Sequence, residues 1–348
     1  MTTLKARLSG KITFLLLIPV LLCGPRTAFG GEADSPGPNI QLRGGFHNSL
    51  HRFEKEKKGH VAFIGGSITA MNGYRPMLRG FLQKRFPETK FTFTNAGISS
   101  TCSTSGAFRL QRDVLSRGPV DLFFIEYAVN DDQDAGHARR ECIRGMEGIL
   151  RQTRSHNPMA DIVITHFVNP GMLKTVGKGK EPVSSGAHED VAKHYGVSTI
   201  HLIREVDRLI AAKELTWKKF GGTHPGPHGN RLCADMIEKL LTTSWSMSAA
   251  DKAAKAAHAL PKKPLDPESY GKGRFIDPAT AKIKTGWKNH LPEWKKIGGG
   301  FRNTFAGKKL LCATAPGAEC RLEFTGRAIG TYLLAGPDAG TVEASIDG

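Results

Sequence analysis

Three residues of the kinds that carry out acyl transfer each follow a predicted strand or precede a rigid turn in this 348-residue sequence. Ser67 comes directly after the apolar run 61–64 and two glycines, and Asn130 follows a second apolar run at 120–127. His224 is held by the proline that follows it. A histidine base can activate a serine hydroxyl for attack on a carbonyl, and an asparagine amide can stabilise the oxyanion that forms. Together these residue types indicate nucleophilic acyl chemistry.

The stretch Gly65-Gly-Ser-Ile-Thr69 does not fit the familiar glycine-rich motifs. It lacks the second glycine of a dinucleotide fingerprint and the Gly-Lys-Ser/Thr of a phosphate-binding loop. It also lacks the final glycine of the Gly-x-Ser-x-Gly elbow. Taken alone, Ser67 has a structural explanation as a helix N-cap, Asn130 as a turn residue and His224 as a surface side chain. The case for chemistry depends on all three meeting in one place.

Alternating strand and helix patterns predict a fold that brings these residues to one edge of a sheet. Strand patterns fall at 61–64, 90–94, 120–127, 161–168 and 197–202. Helical patterns fall at 48–58, 75–86, 106–115, 137–154, 182–195, 204–213 and 229–243. The alternation predicts an α/β fold with three layers, in which a doubly wound, mainly parallel five-stranded sheet of flavodoxin-like type has helices on both faces. Residues that follow the carboxyl ends of such strands share one crevice.

Four short blocks, in one order, resemble those of the SGNH (GDSL-like) hydrolase superfamily. They are Gly65-Gly-Ser67-Ile-Thr, Asn95-Ala-Gly-Ile-Ser-Ser100, Ala128-Val-Asn130-Asp and Thr223-His224-Pro. The resemblance covers about residues 59–243 and extends to an exported bacterial branch with carbohydrate-esterase relatives. It implies that Ser67 is the nucleophile and His224 the general base. It also implies an oxyanion hole made by the Ser67 N–H, an N–H of the second block and the Asn130 amide.

Two departures from the family pattern bear on the chemistry. The oxyanion glycine of the family aligns with Ser100, so the resemblance assigns the backbone donor to the Ser100 N–H, with Gly97 as the alternative. Gly221 stands where the family usually has an acid, three residues before the histidine. Either Ser67 and His224 act as a dyad, or a carboxylate from elsewhere orients the imidazole. The candidate carboxylates are Asp131, Asp132, Asp134, Glu126 and Glu189.

Several other polar residues are expected to have structural roles. Glu126 lies in an apolar strand and needs a partner, for which Arg75 and Arg109 are candidates. Arg109 and Asp113 are one helical turn apart and can form an ion pair. His166, after the fourth strand, is expected to be a core histidine whose hydrogen bonds are satisfied. The sequence contains no CxxC pair or other zinc-ligand spacing, so neither a metal nor a cofactor is expected.

Residues 1–30 have the pattern of a cleaved signal peptide, with a basic start, an apolar run at 12–22 and a small-x-small site at 28–30. This pattern predicts a secreted or periplasmic protein, and no later run of the sequence is long and apolar enough to predict a transmembrane segment. The formal net charge of +17 becomes +13 without the four bases of residues 1–30. Such an excess can attract acidic polysaccharide, whereas no nucleic-acid-binding signature is found in the sequence.

The composition divides the chain into further parts. A polar lead-in at 31–58 precedes the hydrolase region at 59–246, and a linker at 247–272 leads to a β-rich, sandwich-like module at 273–348. Strand patterns at 309–314, 320–324, 328–334 and 341–346 are too few for a closed sandwich, so the module is expected to be truncated. Cys312 and Cys320 flank a turn-like segment and are candidates for a disulfide across a hairpin.

The sequence therefore predicts an exported serine esterase that removes short acyl groups, acetyl above all, from a polysaccharide. Three alternatives remain open. The first is a lipase or arylesterase of the same fold, the second is a catalytically impaired glycan-binding relative, and the third is an interaction protein that uses its basic surface. The same catalytic parts serve many ester hydrolases, so the choice of substrate rests on the resemblance.

Overall fold

A six-stranded sheet forms the centre of the molecule. The computed structural model describes residues 36–251, 255–296, 307–334 and 339–347, so the predicted signal peptide at 1–30 lies outside the described residues. In chain order, the strands of the sheet are β1 (Ile40–Gln41), β2 (Lys58–Gly65), β3 (Lys90–Gly97), β4 (Leu122–Glu126), β5 (Asp161–Thr165) and β6 (Ser198–Ile200).

The order of the strands across the sheet is β1-β6-β5-β4-β2-β3. Strands β2 to β6 pair in parallel, and numbered among themselves they have the 2-1-3-4-5 order of flavodoxin-like folds, as predicted. The sixth strand, β1, pairs antiparallel with β6. Two residues are too few for any periodicity, so only the paired structure reveals β1.

Helices cover both faces of the sheet. The predicted helices correspond to α1 (His47–Glu54), α3 (Tyr74–Arg85), α4 (Ser103–Asp113), α6 (Arg139–His156), α8 (Val183–Tyr195), α9 (Leu202–Ala211) and α11 (Pro227–Asp251). Four shorter helices were not predicted: α2 (Ser67–Ala70), α5 (Ala128–Gln133), α7 (Pro170–Val176) and α10 (Trp217–Phe220). Each is too short to show an amphipathic period. None of the helices in the described ranges combines the length and the apolar character needed to cross a bilayer.

Strand β2 shows why the sheet needs two layers of helices. Its side chains alternate, so that Val61 and Phe63 belong to one core and Ala62 and Ile64 to the other. All four are buried, which explains why the strand has a continuous apolar sequence. The first core is completed by α1, α3, α9 and α11, and the second by α4, α6 and α8.

Residues 255–272, which fall in the predicted linker, are hydrogen-bonded to the sheet domain. The Asn48 side chain donates from Nδ2 to the carbonyl of Ala256 at 2.8 Å. The buried carboxylate of Glu147 accepts the backbone N–H of Asp266 at 3.0 Å. These bonds hold the segment against the sheet domain.

The last part of the chain contains two small antiparallel sheets. Its strands are β7 (Lys282–Thr285), β8 (Trp287–His290), β9 (Leu310–Ala313) and β10 (Glu319–Arg321); β7 pairs with β10 and β8 with β9. The predicted strands at 309–314 and 320–324 correspond to β9 and β10. The predictions at 328–334 and 341–346 are wrong, because the described residues there are exposed and form no strand. A strand requires hydrogen bonds to a neighbour, which an apolar pattern alone does not supply.

Cys312 and Cys320 are free thiols, so the disulfide considered from the sequence is not formed. Cys312 lies on β9 and Cys320 on β10, and these strands belong to different sheets. The two cysteines are therefore not on the paired arms of one hairpin. Burial raises the pKa of the Cys312 thiol, which favours its protonated form.

Candidate active site

The three residues predicted to take part in catalysis, Ser67, Asn130 and His224, lie at the carboxyl edge of the sheet. Strand β2 ends at Gly65, and Ser67 is the first residue of α2. Strand β4 is followed by α5, which carries Asn130, and His224 lies in the loop between α10 and α11. Strand β2 lies between β3 and β4, so the strand order reverses here. Open α/β sheets bind ligands at this type of position.

Ser67 and His224 are in hydrogen-bond contact although 157 positions separate them in sequence. Ser67 Oγ lies 2.7 Å from His224 Nε2. When Nε2 accepts, the serine O–H donates, which is the arrangement a general base needs to take the proton. The Ser67 residue is half-buried and His224 is exposed. An ester can therefore reach both groups from solvent.

The loop that carries His224 is held by a buried side chain, Asn230, that no sequence motif marks. Asn230 is 3% exposed, and its Nδ2 donates to the carbonyls of Pro225 at 2.6 Å and Gly226 at 3.0 Å. The Gly226 N–H in turn donates to the Phe220 carbonyl at 2.9 Å. The sequence shows Asn230 only as a polar residue in the first turn of the last helix, which does not by itself predict this role. Its effect is to fix the backbone next to His224.

The Asn130 amide packs against the turn before Ser67. Asn130 is buried, and its Nδ2 donates to Asp134 Oδ2 at 2.5 Å. A Cβ placed on Gly66 would lie 2.5 Å from Asn130 Cγ, so only glycine allows the amide to come this close to Ser67. An amide nitrogen carries two hydrogens, and the bond to Asp134 uses one of them. The other is the one that can meet a developing oxyanion.

Ser100 adopts the backbone conformation for which the family glycine is suited. Its φ is +55°, in the left-handed region that a non-glycine residue rarely occupies. The alternative donor, the Gly97 N–H, is bonded to Asn95 Oδ1 at 3.0 Å. A Cβ on Gly97 would also lie 2.6 Å from the Thr69 carbonyl carbon. These contacts give Gly97 a packing role.

Within the described part of the chain, no carboxylate hydrogen-bonds or ion-pairs with the His224 ring. Each of the five candidate acids forms hydrogen bonds to other side chains. The pairs are Glu126 with Thr69, Asp131 with Ser103 and His188, Asp132 with Asn169, Asp134 with Asn130, and Glu189 with Arg43. The described residues therefore present a serine–histidine dyad.

The backbone at Gly221 explains why no acid stands three residues before His224. Gly221 follows α10 with φ +104°. A Cβ there would overlap the backbone nitrogen of Gly226 and lie 2.6 Å from its Cα. Any side chain at this position would push the loop apart. The loop is thus folded in a way that excludes the usual acid.

The buried carboxyl group of Glu126 lies beneath the turn that carries Ser67. Thr69 Oγ1 donates to Glu126 Oε2 at 3.2 Å, and the Gly66 N–H bonds to the same carboxyl group. The prediction that an arginine pairs with Glu126 is wrong. Arg75 donates to backbone carbonyls of α2, and Arg109 donates to the Tyr127 hydroxyl. Burial raises the pKa of Glu126 to about 7. Below that pH the carboxyl group is mostly protonated and needs no cation beside it.

Arg109 fastens the end of β2 to α4. It is fully buried, and its Nη2 donates to the Gly65 carbonyl at 3.2 Å and to the Tyr127 hydroxyl at 2.7 Å. Its Nη1 pairs with Asp113 at 3.0 Å, which confirms the ion pair predicted from the helical spacing. The bond to Gly65 holds the strand end two residues before Ser67. The helical spacing predicts the ion pair with Asp113 but not the bond to the Gly65 carbonyl.

Residues 63–232 match the model of the GDSL-like Lipase/Acylhydrolase family. The matched range begins in β2, ends in α11, and includes Ser67, Asn130 and His224. A search of curated protein sequences found no match.

Among solved structures, the chain is similar to a two-domain esterase active on acetylated mannans that was co-crystallised with mannopentaose. The identity is 21% and the TM-score 0.60, over 78% of this chain and 70% of that chain. An α/β hydrolase from the metagenome of Lake Arreo, Spain, is 18% identical with a TM-score of 0.46, over 53% of this chain and 96% of that one. An acetylxylan esterase from Geobacillus stearothermophilus is 17% identical with a TM-score of 0.41, over 54% and 95%. The first likeness concerns the fold alone.

Proposed function

The chain carries a domain of the GDSL-like lipase/acylhydrolase family, a family of carboxylic-ester hydrolases, over residues 63–232, and on this premise we propose that it is an exported enzyme that removes acetyl groups from a polysaccharide. The observation that carries the proposal is the 2.7 Å contact between Ser67 Oγ and His224 Nε2 at the carboxyl edge of the sheet. Asn130, packed against the turn before Ser67, supplies the side-chain donor that such a reaction needs.

In the proposed reaction, Ser67 Oγ attacks the acetyl carbonyl carbon while His224 Nε2 takes the hydroxyl proton. The oxyanion accepts hydrogen bonds from the Ser67 N–H, the Ser100 N–H and Asn130 Nδ2. The ester C–O bond then breaks, and His224 returns the proton to the departing sugar oxygen. A water molecule, deprotonated by His224, attacks the acetyl-serine; the bond to Ser67 Oγ breaks, His224 returns the proton to that oxygen, and acetic acid leaves as acetate. Because no acid among the described residues stabilises the imidazolium, this dyad is expected to work more slowly than a triad.

The surroundings of the dyad support a polymeric substrate over a lipid. His224 is exposed and Ser67 half-buried, so an acetyl group on a long chain can approach without entering a tunnel. A lipase instead has to bury a long acyl chain in an apolar pocket. The net charge of +13 that remains without residues 1–30 further favours polysaccharides with acidic groups. The two-domain esterase of similar fold is active on acetylated mannans, which makes acetylated mannan a suitable first test substrate.

The test measures acetate release from acetylated mannan and xylan, and cleavage of p-nitrophenyl esters from two to twelve acyl carbons. We expect the acetyl ester to be the best of the series and Ser67→Ala to abolish turnover. Ser116→Ala serves as the matched control, because this exposed serine only bonds to the Arg112 carbonyl. The control should keep full activity.

Each alternative predicts a different outcome. A preference for long acyl chains would identify a lipase-type acylhydrolase. Glycan binding without turnover of any short ester would identify an impaired relative, and it would overturn the enzymatic proposal. Salt-sensitive binding to polyanions that is unchanged in Ser67→Ala, again without turnover, would identify an interaction protein.

Export is part of the same proposal. The basic and apolar pattern of residues 1–30 supports cleavage near Gly31. Amino-terminal sequencing of protein recovered from outside the cytoplasm should begin near that residue. A mature chain that still begins at Met1 would contradict export by this route.

A further inference from the structure

A second buried cluster of chemically active residues lies at the carboxyl edge of the sheet, away from Ser67. His166 directly follows β5, His201 directly follows β6, and Glu189 comes from α8. The three side chains are buried, and one ligand atom from each lies within 4.8 Å of the others. The proposed ester hydrolysis uses none of them.

The hydrogen bonding of this cluster is incomplete. Within the described part of the chain, both ring nitrogens of His166 and Nδ1 of His201 are buried without a hydrogen-bond partner, whereas His201 Nε2 contacts Glu189 Oε2 and Thr199 Oγ1. Buried polar atoms are nearly always paired, so several orphans in one place require an explanation. The expectation that His166 is a satisfied core histidine is therefore wrong. Its ring is fully buried, and Glu189 Oε2, 3.6 Å from Nε2, is too distant for a regular hydrogen bond.

The distances between these atoms suit a small cation. Glu189 Oε2 lies 3.1 Å from His201 Nε2 and 3.6 Å from His166 Nε2. Zinc bonds to nitrogen and oxygen are about 2.0–2.2 Å long, which places the ligand atoms of a tetrahedral site about 3.3–3.5 Å apart. The two observed distances lie on either side of that range. Two imidazoles and one carboxylate are also a ligand set that zinc and its first-row neighbours accept.

The residues around the cluster provide the outer support that a metal site needs. Arg43 pairs with the other carboxylate oxygen of Glu189 at 2.5 Å, which fixes the carboxylate and leaves Oε2 directed at the histidines. His188, whose ring lies 6.3 Å from that of His166, bonds to the buried Asp131 at 2.9 Å. Asp131 therefore adds a second negative charge near the cluster. Ligating carboxylates are commonly held by such outer contacts.

We propose that His166, Glu189 and His201 bind one divalent transition-metal ion, with zinc as the first candidate, at a structural site separate from the serine–histidine dyad. The ion would join the ends of β5 and β6 to α8. Because the ligands come from three elements, the site exists only in the folded chain, and binding stabilises that state. Arg43 is positively charged and contacts Glu189, so it repels a metal ion at the site and weakens binding. We therefore expect the site to saturate at micromolar zinc.

The experiment uses the purified full chain, stripped with a chelator and titrated with zinc chloride. Metal content after gel filtration should reach one zinc per chain. The melting temperature should rise by about 5–10 °C at free zinc about 100-fold above the dissociation constant. His166→Gln and His201→Gln should each weaken zinc binding at least about tenfold. His60→Gln is the matched control, because His60 is buried with both ring nitrogens bonded, to the Pro119 carbonyl at 3.0 Å and Thr94 Oγ1 at 2.9 Å.

The control should bind zinc as the wild type does. A wild-type chain that retains no zinc, cobalt or manganese overturns the proposal, as does zinc binding that survives both substitutions. If the variants do not fold, the visible spectrum of the cobalt-loaded wild type decides, because a four-coordinate nitrogen and oxygen site absorbs far more strongly than an octahedral one. None of these measurements depends on ester hydrolysis.

Discussion

Replacing Gly221 by aspartate restores the family's usual acid in sequence, yet we expect the variant to lose activity. The structure gives two reasons. Gly221 has φ +104°, and left-handed backbone costs a residue with a side chain about 1–2 kcal/mol. A Cβ there would also overlap Gly226, and overpacking of this kind costs about 1–3 kcal/mol. The loss of folding free energy for Gly221→Asp should therefore be about 2–5 kcal/mol.

The neighbouring glycine provides the matched control. Gly222 has φ +88°, but a Cβ there would meet nothing within 4 Å. Gly222→Ala should lose only the conformational part, about 1–2 kcal/mol. Gly221→Ala should lose the steric part as well, so the difference between the two alanine variants isolates the overlap with Gly226. Urea denaturation of both variants measures this difference.

The catalytic consequence follows from the position of His224, three residues beyond Gly221. A loop displaced by about 1 Å moves the imidazole from Ser67, and a misplacement of that size typically costs about 100-fold in rate. Hydrolysis of p-nitrophenyl acetate should therefore fall about 100-fold in Gly221→Asp. A variant with wild-type stability and a higher kcat would refute the reasoning, since it would show that the loop accepts a side chain and that the dyad lacked only its acid.

Three further predictions concern the residues around Ser67. Asn130→Ala should lower kcat about 10²–10³-fold by removing an oxyanion donor. Asn48→Ala, the matched control, removes a buried amide of α1 that donates to the Ala256 carbonyl, so it should lower stability and leave kcat near wild type; steady-state kinetics on an acetyl ester distinguish the two variants. Ser100→Gly should keep its activity and gain up to about 1 kcal/mol in urea denaturation, because glycine adopts φ +55° without strain. Glu126 has a folded-state pKa of about 7, above the ordinary glutamate value of 4.5, so its neutral form stabilises the fold at low pH and this contribution is lost as the pH rises from about 4.5 to about 7. Between pH 5 and pH 8 the wild type should therefore lose about 2.5 kcal/mol more than Glu126→Gln; equal losses in the two proteins would contradict a neutral, buried Glu126.

Much of the fold can be predicted from local patterns of apolar residues in the sequence. Strand β2 is buried on both faces, so its apolar run at 61–64 predicts it directly, and the longer helices have the period of a buried stripe. Strand β1 has two residues and exists only because β6 offers it hydrogen bonds. At 328–334 the reverse holds, since an apolar pattern is present but the described residues form no strand. A local pattern shows which secondary structure a segment can adopt, whereas strand pairing depends on a partner that is distant in the sequence.

The sequence by itself determined the parallel sheet, the four motif blocks and the residue types that gather at Ser67. The tertiary structure alone decided that Gly221 excludes an acid and that Ser100 takes a left-handed backbone, because both depend on how a loop closes on itself. It also decided the cluster of His166, Glu189 and His201, whose members are 23 and 12 positions apart and show no metal-binding spacing. Contacts between the ends of different strands are set by sheet order, and sheet order is a property of the whole chain.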